Sequence, residues 1–220
     1  MSAFREFAVA TARPLPVIVL ADASGSMNAD GKLTSLNAAV SEMIRTFADE
    51  DSLMAEIHVA VVTFGGAAAG LHIPLMPASD VAWTDIEAAG RTPLGSAYTM
   101  VREMIEDREV VPSRAYRPTV VLVSDGIPTD DWEPALEQLK ASERASKAAR
   151  FALGIGPEAE PAVLKAFLDD GNCRVFQAHE AREIQKFFSW VTMSVAVRSR
   201  STSPNAVFEL EMPDLDELEY

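Results

Sequence analysis

The sequence predicts a three-layer α/β fold with a central, mostly parallel sheet of six strands and helices on both faces. Two observations support this prediction. Continuous apolar runs such as Pro16–Leu20 and Thr119–Val123 lack polar alternation, which indicates strands that are buried on both faces. These runs alternate along the chain with segments whose apolar residues recur at helical spacing. Such alternation is typical of parallel sheets whose strands are connected by helices.

The predicted sheet has one antiparallel strand at its edge. Only a short turn containing Gly65 and Gly66 separates the second strand from the third. A parallel pair needs a crossover of about a dozen residues or more, so we expect these two strands to form a hairpin. In chain order, the predicted strands are Pro16–Leu20, Ile57–Phe64, Leu71–Leu75, Thr119–Val123, Arg150–Leu153 and Arg174–Gln177.

Five segments between or after the strands show the apolar periodicity of amphipathic helices. In the third of them, Leu136 and Leu139 are expected to point inward. The predicted helices cover 33–48, the segment from Leu94 to Ile105, 132–147, Pro161–Leu168 and Ala181–Val197.

The chain is predicted to form one domain followed by a tail. No internal repeat or linker divides it, so residues 1–200 are assigned to the domain and residues 201–220 to an acidic C-terminal tail. No basic residue appears after Ser201. Purely solvating tails usually lack large apolar residues, so we expect this one to dock on a surface. Its apolar residues are Phe208, Leu210, Leu215, Leu218 and Tyr220.

Composition excludes several classes of function. The net charge is −14, which disfavours binding to a phosphate backbone and hence to nucleic acid. The longest apolar runs, such as Leu15–Ala21, are too short to span a membrane. The single cysteine, Cys173, excludes an internal disulfide framework and an all-cysteine zinc site. With no signal-peptide pattern before Pro14, the expected location is the cytoplasm.

A loop with oxygen ligands follows the first predicted strand. Asp22, Ser24 and Ser26 supply one carboxylate and two hydroxyls within five residues. In open parallel sheets, ligands bind beyond the carboxyl ends of the strands, which is where this loop lies. Hard oxygen ligands of this kind suit Mg²⁺. Taken alone, either serine could instead cap a helix.

Two further residues are expected at the same edge of the sheet. Asp125 follows the buried run Thr119–Val123, and neighbouring central strands would bring it close to Asp22. Thr92 precedes the second helix. Separately, Thr92 could be a helix N-cap and Asp125 part of a turn. Together, two carboxylates and three hydroxyls at one point would be costly without a cation. We therefore predict a metal site of Asp22, Ser24, Ser26, Thr92 and Asp125.

This pattern resembles the metal-ion-dependent adhesion motif of von Willebrand factor A domains. The resemblance covers roughly residues 13–197 and rests on Asp22-x-Ser24-x-Ser26, Thr92 and Asp125-Gly126. It implies that the serines and the threonine ligate Mg²⁺, with Mn²⁺ or Ca²⁺ as alternatives, and that the aspartates bind directly or through water. It also implies an open coordination position for an Asp or Glu of a protein partner. Met27 and Asn28 are expected at the rim of that position.

A narrower resemblance concerns the bacterial tellurium-resistance group of the TerY type. It rests on the segments 13–17 and 187–191. It implies a cytoplasmic interaction module, not an enzyme, in a stress or phosphosignalling system, with a kinase or phosphatase of the same system as a candidate partner. The chain departs from the family pattern at Arg91, where glycine is common. It also lacks the cysteines of the zinc ribbon that some such proteins carry.

The acidic residues also have two other interpretations. A Mg²⁺-dependent phosphohydrolase could use Asp22 as nucleophile, but Ser24 stands where such enzymes place a second aspartate as general acid. Asp130 and Asp131 precede the third predicted helix, where acidic residues favour the helix dipole, so they are assigned to the helix start.

Overall fold

The computed structural model describes residues 12–50, 52, 54–168 and 175–206. Within them, six strands form one sheet in the order β3-β2-β1-β4-β5-β6. The β2–β3 pair is antiparallel, and every other neighbouring pair is parallel. The predicted fold class is therefore confirmed. The strands are β1 (Arg13–Asp22), β2 (Ala55–Gly65), β3 (Ala68–Pro77), β4 (Thr119–Ser124), β5 (Ala149–Ile155) and β6 (Phe176–Ala178).

Among the described residues, five helices and three short 3-10 segments connect or follow the strands. The 3-10 segments are Gly25–Gly31, Ala78–Asp80 and Ala145–Lys147. No helix in the described part of the chain is long and apolar enough to cross a bilayer. The helices are α1 (Lys32–Ala48), α2 (Leu94–Glu106), α3 (Trp132–Ala141), α4 (Pro161–Leu168) and α5 (Ala181–Arg200).

The sheet separates two hydrophobic cores. Side chains alternate along β1, so Val17 and Val19 face the core formed with α1 and α5. Ile18 and Leu20 face the opposite core, formed with α2, α3 and α4. All four side chains are buried. This two-sided burial explains why β1 is a continuous apolar run.

The third helix is shorter than predicted. The sequence indicated a helix over 132–147, but α3 ends at Ala141 and Ser142 is extended. The Glu106 carboxylate accepts hydrogen bonds from the backbone N–H groups of Arg144 and Ala145, at 2.7 and 3.0 Å. These bonds draw the chain away from the helix axis. The expected inward positions of Leu136 and Leu139 are confirmed.

The remaining differences lie at element ends. The strand β3 is longer than the predicted Leu71–Leu75, and α5 extends to Arg200. Arg174, the first residue of the predicted last strand, lies outside the described residues, as does the tail from residue 207 onward. The division at residue 200 and the docking of the tail stay predictions.

Candidate metal site

The site lies at the carboxyl ends of two neighbouring central strands. Because β1 and β4 are parallel and pair Ala21 with Val123, the residues that follow, Asp22 and Ser124, emerge side by side. The Ser124 hydroxyl donates to Asp22 Oδ2 at 2.7 Å. Asp125 comes next, and both aspartates are 0% exposed. The expected proximity of the two strand ends is therefore present.

The carboxylate of Asp22 is held from both sides. The backbone N–H of Ser24 donates to Oδ1 at 2.8 Å, while Oδ2 accepts from Ser124. Burial raises the pKa of Asp22; its hydrogen bonds with Ser124 and Ser24 oppose that effect, and the nearby Asp125 charge raises the pKa further. Burial and the neighbouring carboxylate both penalise the ionised form. A cation beside Asp22 would offset both effects.

A chain of hydrogen bonds joins the serines to the second aspartate. Ser24 Oγ and Ser26 Oγ lie 2.9 Å apart, and the Ser26 hydroxyl donates to Asp125 Oδ1 at 2.7 Å. The Thr92 hydroxyl lies nearby, because a Cβ placed on Gly126 would be 3.8 Å from both Ser26 Oγ and Thr92 Oγ1. The structure thus brings all five predicted residues together.

Thr92 is placed by its backbone and does not cap the following helix. Its N–H donates to Thr129 Oγ1 at 3.1 Å, and its carbonyl accepts from the Thr129 N–H at 2.9 Å. The helix α2 begins at Leu94, and its free N–H groups are bound by Asp130 instead. The Asp130 carboxylate accepts from Gly95 and Ser96 at 3.0 Å each. The sequence assigned Asp130 to the start of α3, but its side chain caps α2.

The segment before Thr92 contacts two loops, the one that carries the serines and the turn between β2 and β3. Gly25 N–H donates to the carbonyl of Gly90 at 3.1 Å, and Ala89 N–H donates to the carbonyl of Ala23 at 2.7 Å. Gly90 has a φ of 66° and approaches Gly66 so closely that a Cβ would lie 2.7 Å from Gly66 Cα. Only glycine fits this crossing without displacing the chain. The loop that carries the serines and the segment that carries Thr92 are therefore held as one unit.

The sequence did not reveal Ser124, whose hydroxyl bonds Asp22, or Lys32 as residues of the site. Lys32 contacts the second aspartate. Its Nζ lies 2.8 Å from Asp125 Oδ2, and its side chain is 14% exposed. Lys32 is the first residue of α1, where the helix dipole disfavours a cation. This unfavourable position at the helix start was the only local indication of a special role. An isolated lysine after a glycine is otherwise typical of an exposed surface residue.

The rim differs from the prediction at Met27. Met27 is fully buried in the core beneath the loop, so it offers no contact area, whereas Asn28 is exposed. Two other exposed residues flank the site in sequence. Arg91 precedes Thr92, and Ile127, which follows Gly126, is 64% exposed.

The donor set suits a hard divalent cation. It offers two carboxylates and three hydroxyls, and Mg²⁺ favours oxygen ligands with few carboxylates. No cluster of three or more His, Cys, Asp or Glu that could hold a metal occurs among the residues that the structure describes. A metal bound here would therefore rely on hydroxyl oxygens as well as on Asp22 and Asp125.

Comparison with known proteins agrees with the fold. The family model of the von Willebrand factor type A domain matches residues 17–190. The chain belongs to this family. The von Willebrand A domain is 32% identical over 121 residues to the uncharacterized protein Rv2850c of Mycobacterium tuberculosis. That match covers 54% of this chain and 18% of the relative, so the chain spans under a fifth of its length.

Two solved structures share the fold. A von Willebrand factor type A protein from Catenulispora acidiphila has a TM-score of 0.64 at 20% identity, over 83% of this chain and 42% of that one. Proximal thread matrix protein 1 from the mussel byssus, with a zinc-occupied MIDAS motif, has a TM-score of 0.63 at 19% identity. That likeness covers 82% of this chain and 48% of the mussel chain.

Proposed function

We propose that this von Willebrand A domain is a metal-dependent protein-interaction module. It holds one divalent cation, Mg²⁺ or alternatively Mn²⁺ or Ca²⁺, on Asp22, Ser24, Ser26, Thr92 and Asp125. The observation that carries the proposal is the buried, hydrogen-bonded run from Asp22 through the two serines to Asp125. Two buried carboxylates in one site are costly unless a cation or other partners compensate them.

The ligand set leaves the cation able to bind one more anion. The two aspartates only neutralise a dication formally, and hydroxyl ligands add no charge. An additional carboxylate from a partner would therefore be attracted strongly, as in other close charge pairs at interfaces. The proposed partner offers a single Asp or Glu to the metal.

The rim suggests what should surround that acidic residue. Ile127, two residues after Asp125, presents an exposed apolar side chain. Arg91, directly before Thr92, is exposed and carries a positive charge. Exposed apolar side chains beside a charged centre are typical contact points of interfaces. We expect the partner's acidic residue to lie next to an apolar one.

The cellular setting is proposed from the narrower resemblance. The segments 13–17 and 187–191 favour a cytoplasmic, tellurium-resistance-like stress or phosphosignalling system. A kinase or phosphatase of the same system is the candidate partner.

The phosphohydrolase alternative has less support. Asp22 is 0% exposed and both its oxygens accept hydrogen bonds, so it is poorly placed to attack a phosphate. Ser24 occupies the position of the general acid, and its hydroxyl lies beside Ser26. Turnover of a generic phosphomonoester with Mg²⁺ would favour this alternative over the binding module.

The central test is capture of the partner from a native lysate. Binding should require Mg²⁺, be lost with EDTA, and be lost in Thr92→Ala. Thr46→Ala, which removes an exposed hydroxyl on α1, is the matched control and should bind normally. Capture that survives both EDTA and Thr92→Ala would show that the partner binds elsewhere.

The contribution of the rim can be tested separately. Ile127→Ser should weaken capture while leaving Mg²⁺ binding intact. Val110→Ser removes a comparable exposed side chain from the loop before β4, at the opposite edge of the sheet, and should have no effect. Equal capture by both variants would remove Ile127 from the interface.

A further inference from the structure

Lys32 forms a largely buried ion pair with one of the proposed metal ligands. Its ammonium donates to Asp125 Oδ2 at 2.8 Å, while Asp125 Oδ1 accepts from the Ser26 hydroxyl. The carboxylate is 0% exposed and the lysine side chain 14% exposed. Charge-assisted hydrogen bonds of this kind are stronger than neutral ones. One carboxylate of the proposed site is thus already balanced by a cation that belongs to the chain.

The ammonium and a divalent cation would compete for the same carboxylate. A dication bound between Asp22 and Asp125 would lie within a few ångströms of the Lys32 ammonium, and like charges at that range repel strongly in a buried setting. Lys32 must either leave Asp125 or weaken the metal. Its position at the first turn of α1 adds to the cost of its charge, since the helix dipole disfavours a cation there.

The ammonium of Lys32 borders a cavity that contains other carboxylates. Lys32 lines a cavity of about 410 Å³ that is also lined by Asp30, Glu158 and Glu180. Gly156 borders its ammonium, and a Cβ there would lie 3.4 Å from Nζ, so the absence of a side chain leaves room. Because these carboxylates line the same cavity, an ammonium that rotated away from Asp125 would remain among acidic groups.

The backbone before Lys32 also has an unusual conformation. Asp30 and Gly31 both have positive φ, 54° and 69°. Asp30 is the only residue other than glycine with a positive φ in the described part of the chain. For a residue other than glycine this conformation is uncommon, and it occurs in turns and at functional sites. Asp30 and Gly31 join the serine loop directly to the helix that carries Lys32.

We propose that Lys32 is an internal counter-cation that a divalent metal displaces from Asp125. This inference rests on the proposed function, because it assumes that Asp125 belongs to a metal site. In the metal-free domain the ion pair neutralises Asp125 and holds it against Ser26. On metal binding the ammonium turns towards the cavity with Glu158 and Glu180. The ion pair therefore lowers the affinity for the metal.

The first test is calorimetry with MgCl₂ on the full chain. Lys32→Met keeps an apolar stem but removes the charge, and it should bind Mg²⁺ about tenfold tighter or more, as expected from the loss of a competing charge-assisted hydrogen bond. Lys147→Met makes the same charge change on an exposed residue at the opposite edge of the sheet, before β5, and should match the wild type.

The second test measures the position of the ammonium directly. Lysine acylation of the wild type, mapped by mass spectrometry, should modify Lys32 several-fold faster with Mg²⁺ than with EDTA, because displacement exposes it. Lys147 should react equally under both conditions. Mg²⁺ binding that is equal or weaker in Lys32→Met, with unchanged labelling, would overturn the role of Lys32 and leave the metal site standing. Absence of Mg²⁺ binding in both proteins would overturn the proposed function and this inference with it.

Discussion

The side chain of Asn37 and the backbone of Ile86 exchange two hydrogen bonds. Asn37 Nδ2 donates to the Ile86 carbonyl at 3.0 Å, and the Ile86 N–H donates to Asn37 Oδ1 at 2.8 Å. Both residues are buried. The side-chain amide of Asn37 thereby satisfies both backbone polar groups of Ile86, as a neighbouring strand would. This contact attaches the stretch of chain that leads to Thr92 to the helix α1.

We expect Asn37→Ala to be destabilising. It leaves a buried N–H and a buried carbonyl of Ile86 without partners, at about 1–3 kcal/mol for each unsatisfied group. The free energy of unfolding in urea should therefore fall by about 2–6 kcal/mol. Asn28→Ala, at an exposed position, should change it by less than about 0.5 kcal/mol. Equal stability of the two variants would mean that the pair contributes nothing.

Asp130→Ala should destabilise α2 even though Asp130 lies 34 residues beyond Ser96. The carboxylate replaces an N-cap side chain, and losing such a cap costs about 1–2 kcal/mol. The neighbouring Asp131, which precedes α3, makes no side-chain capping bond, so Asp131→Ala is the control. Urea unfolding of the two variants distinguishes the capping of α2 from a general effect of removing an acidic residue.

Glu106→Gln should show a pH-dependent loss of stability. Burial alone would raise the pKa of Glu106, but hydrogen bonds from the N–H groups of Ala145 and Arg144, the Ser142 hydroxyl and the Arg144 charge together lower it. A lowered pKa stabilises the fold above the unfolded value near 4.5, and this stabilisation is lost as the pH falls through the folded value. We expect a deficit of about 1 kcal/mol at pH 7 that shrinks below about pH 4.5.

The control for Glu106 lies on the same helix. Glu103 is 67% exposed and pairs with Arg102, so Glu103→Gln makes the same charge change at a solvated position. Its stability should follow that of the wild type across the pH range. A deficit in Glu106→Gln that did not change between pH 7 and pH 3 would exclude ionisation as its cause.

Asp22→Asn should lose the cation and keep the fold. Loss of a residue that only supports a metal ligand lowers metal affinity by about 10–100-fold. Because Asp22 is a proposed ligand itself, we expect the Mg²⁺ affinity to fall by more than about 100-fold. The raised pKa means that ionised Asp22 is penalised in the folded state, so the metal-free wild type should lose stability as the pH rises from about 3.8 through the raised pKa. Without metal, at neutral pH, the variant should be at least as stable as the wild type.

Two measurements check this prediction. Calorimetry gives the Mg²⁺ affinity, and urea unfolding in EDTA gives the stability. Asp80→Asn, an exposed aspartate after β3 at the other edge of the sheet, should affect neither. Mg²⁺ binding by Asp22→Asn at the wild-type affinity would refute the assigned ligand set.

The sequence was sufficient to predict the sheet and the strand ends that converge at the site. The strands β1 and β4 are apolar throughout because both of their faces are covered, and this pattern is visible without a structure. Once they are known to be parallel neighbours, the proximity of Asp22 and Asp125 follows. Geometry of this kind depends on regular elements, whose periodicity is encoded locally.

Residues whose roles depend on distant partners could not be placed. Asp130 binds N–H groups of a helix that precedes it by 34 and 35 residues, and no local pattern indicates this. Met27 lies in a 3-10 turn, where burial follows no period, so its inward position was not visible. Lys32 pairs with Asp125 across 93 residues of chain. In each example the tertiary contact, and not the local sequence, decides the role.

The placement of the candidate site on β1 and β4 also determines how the domain would bear force. Asp22 and Asp125 follow the carboxyl ends of these strands, whereas Arg13 and the contact between Arg117 and Asn205 lie at their amino ends. A pull between the two ends of the sheet runs along the strands. It shears the hydrogen bonds that join β1 to its parallel neighbours β2 and β4, so these bonds share the load instead of opening one by one. A partner held at this edge, pulling along the strands, would therefore load these hydrogen bonds together.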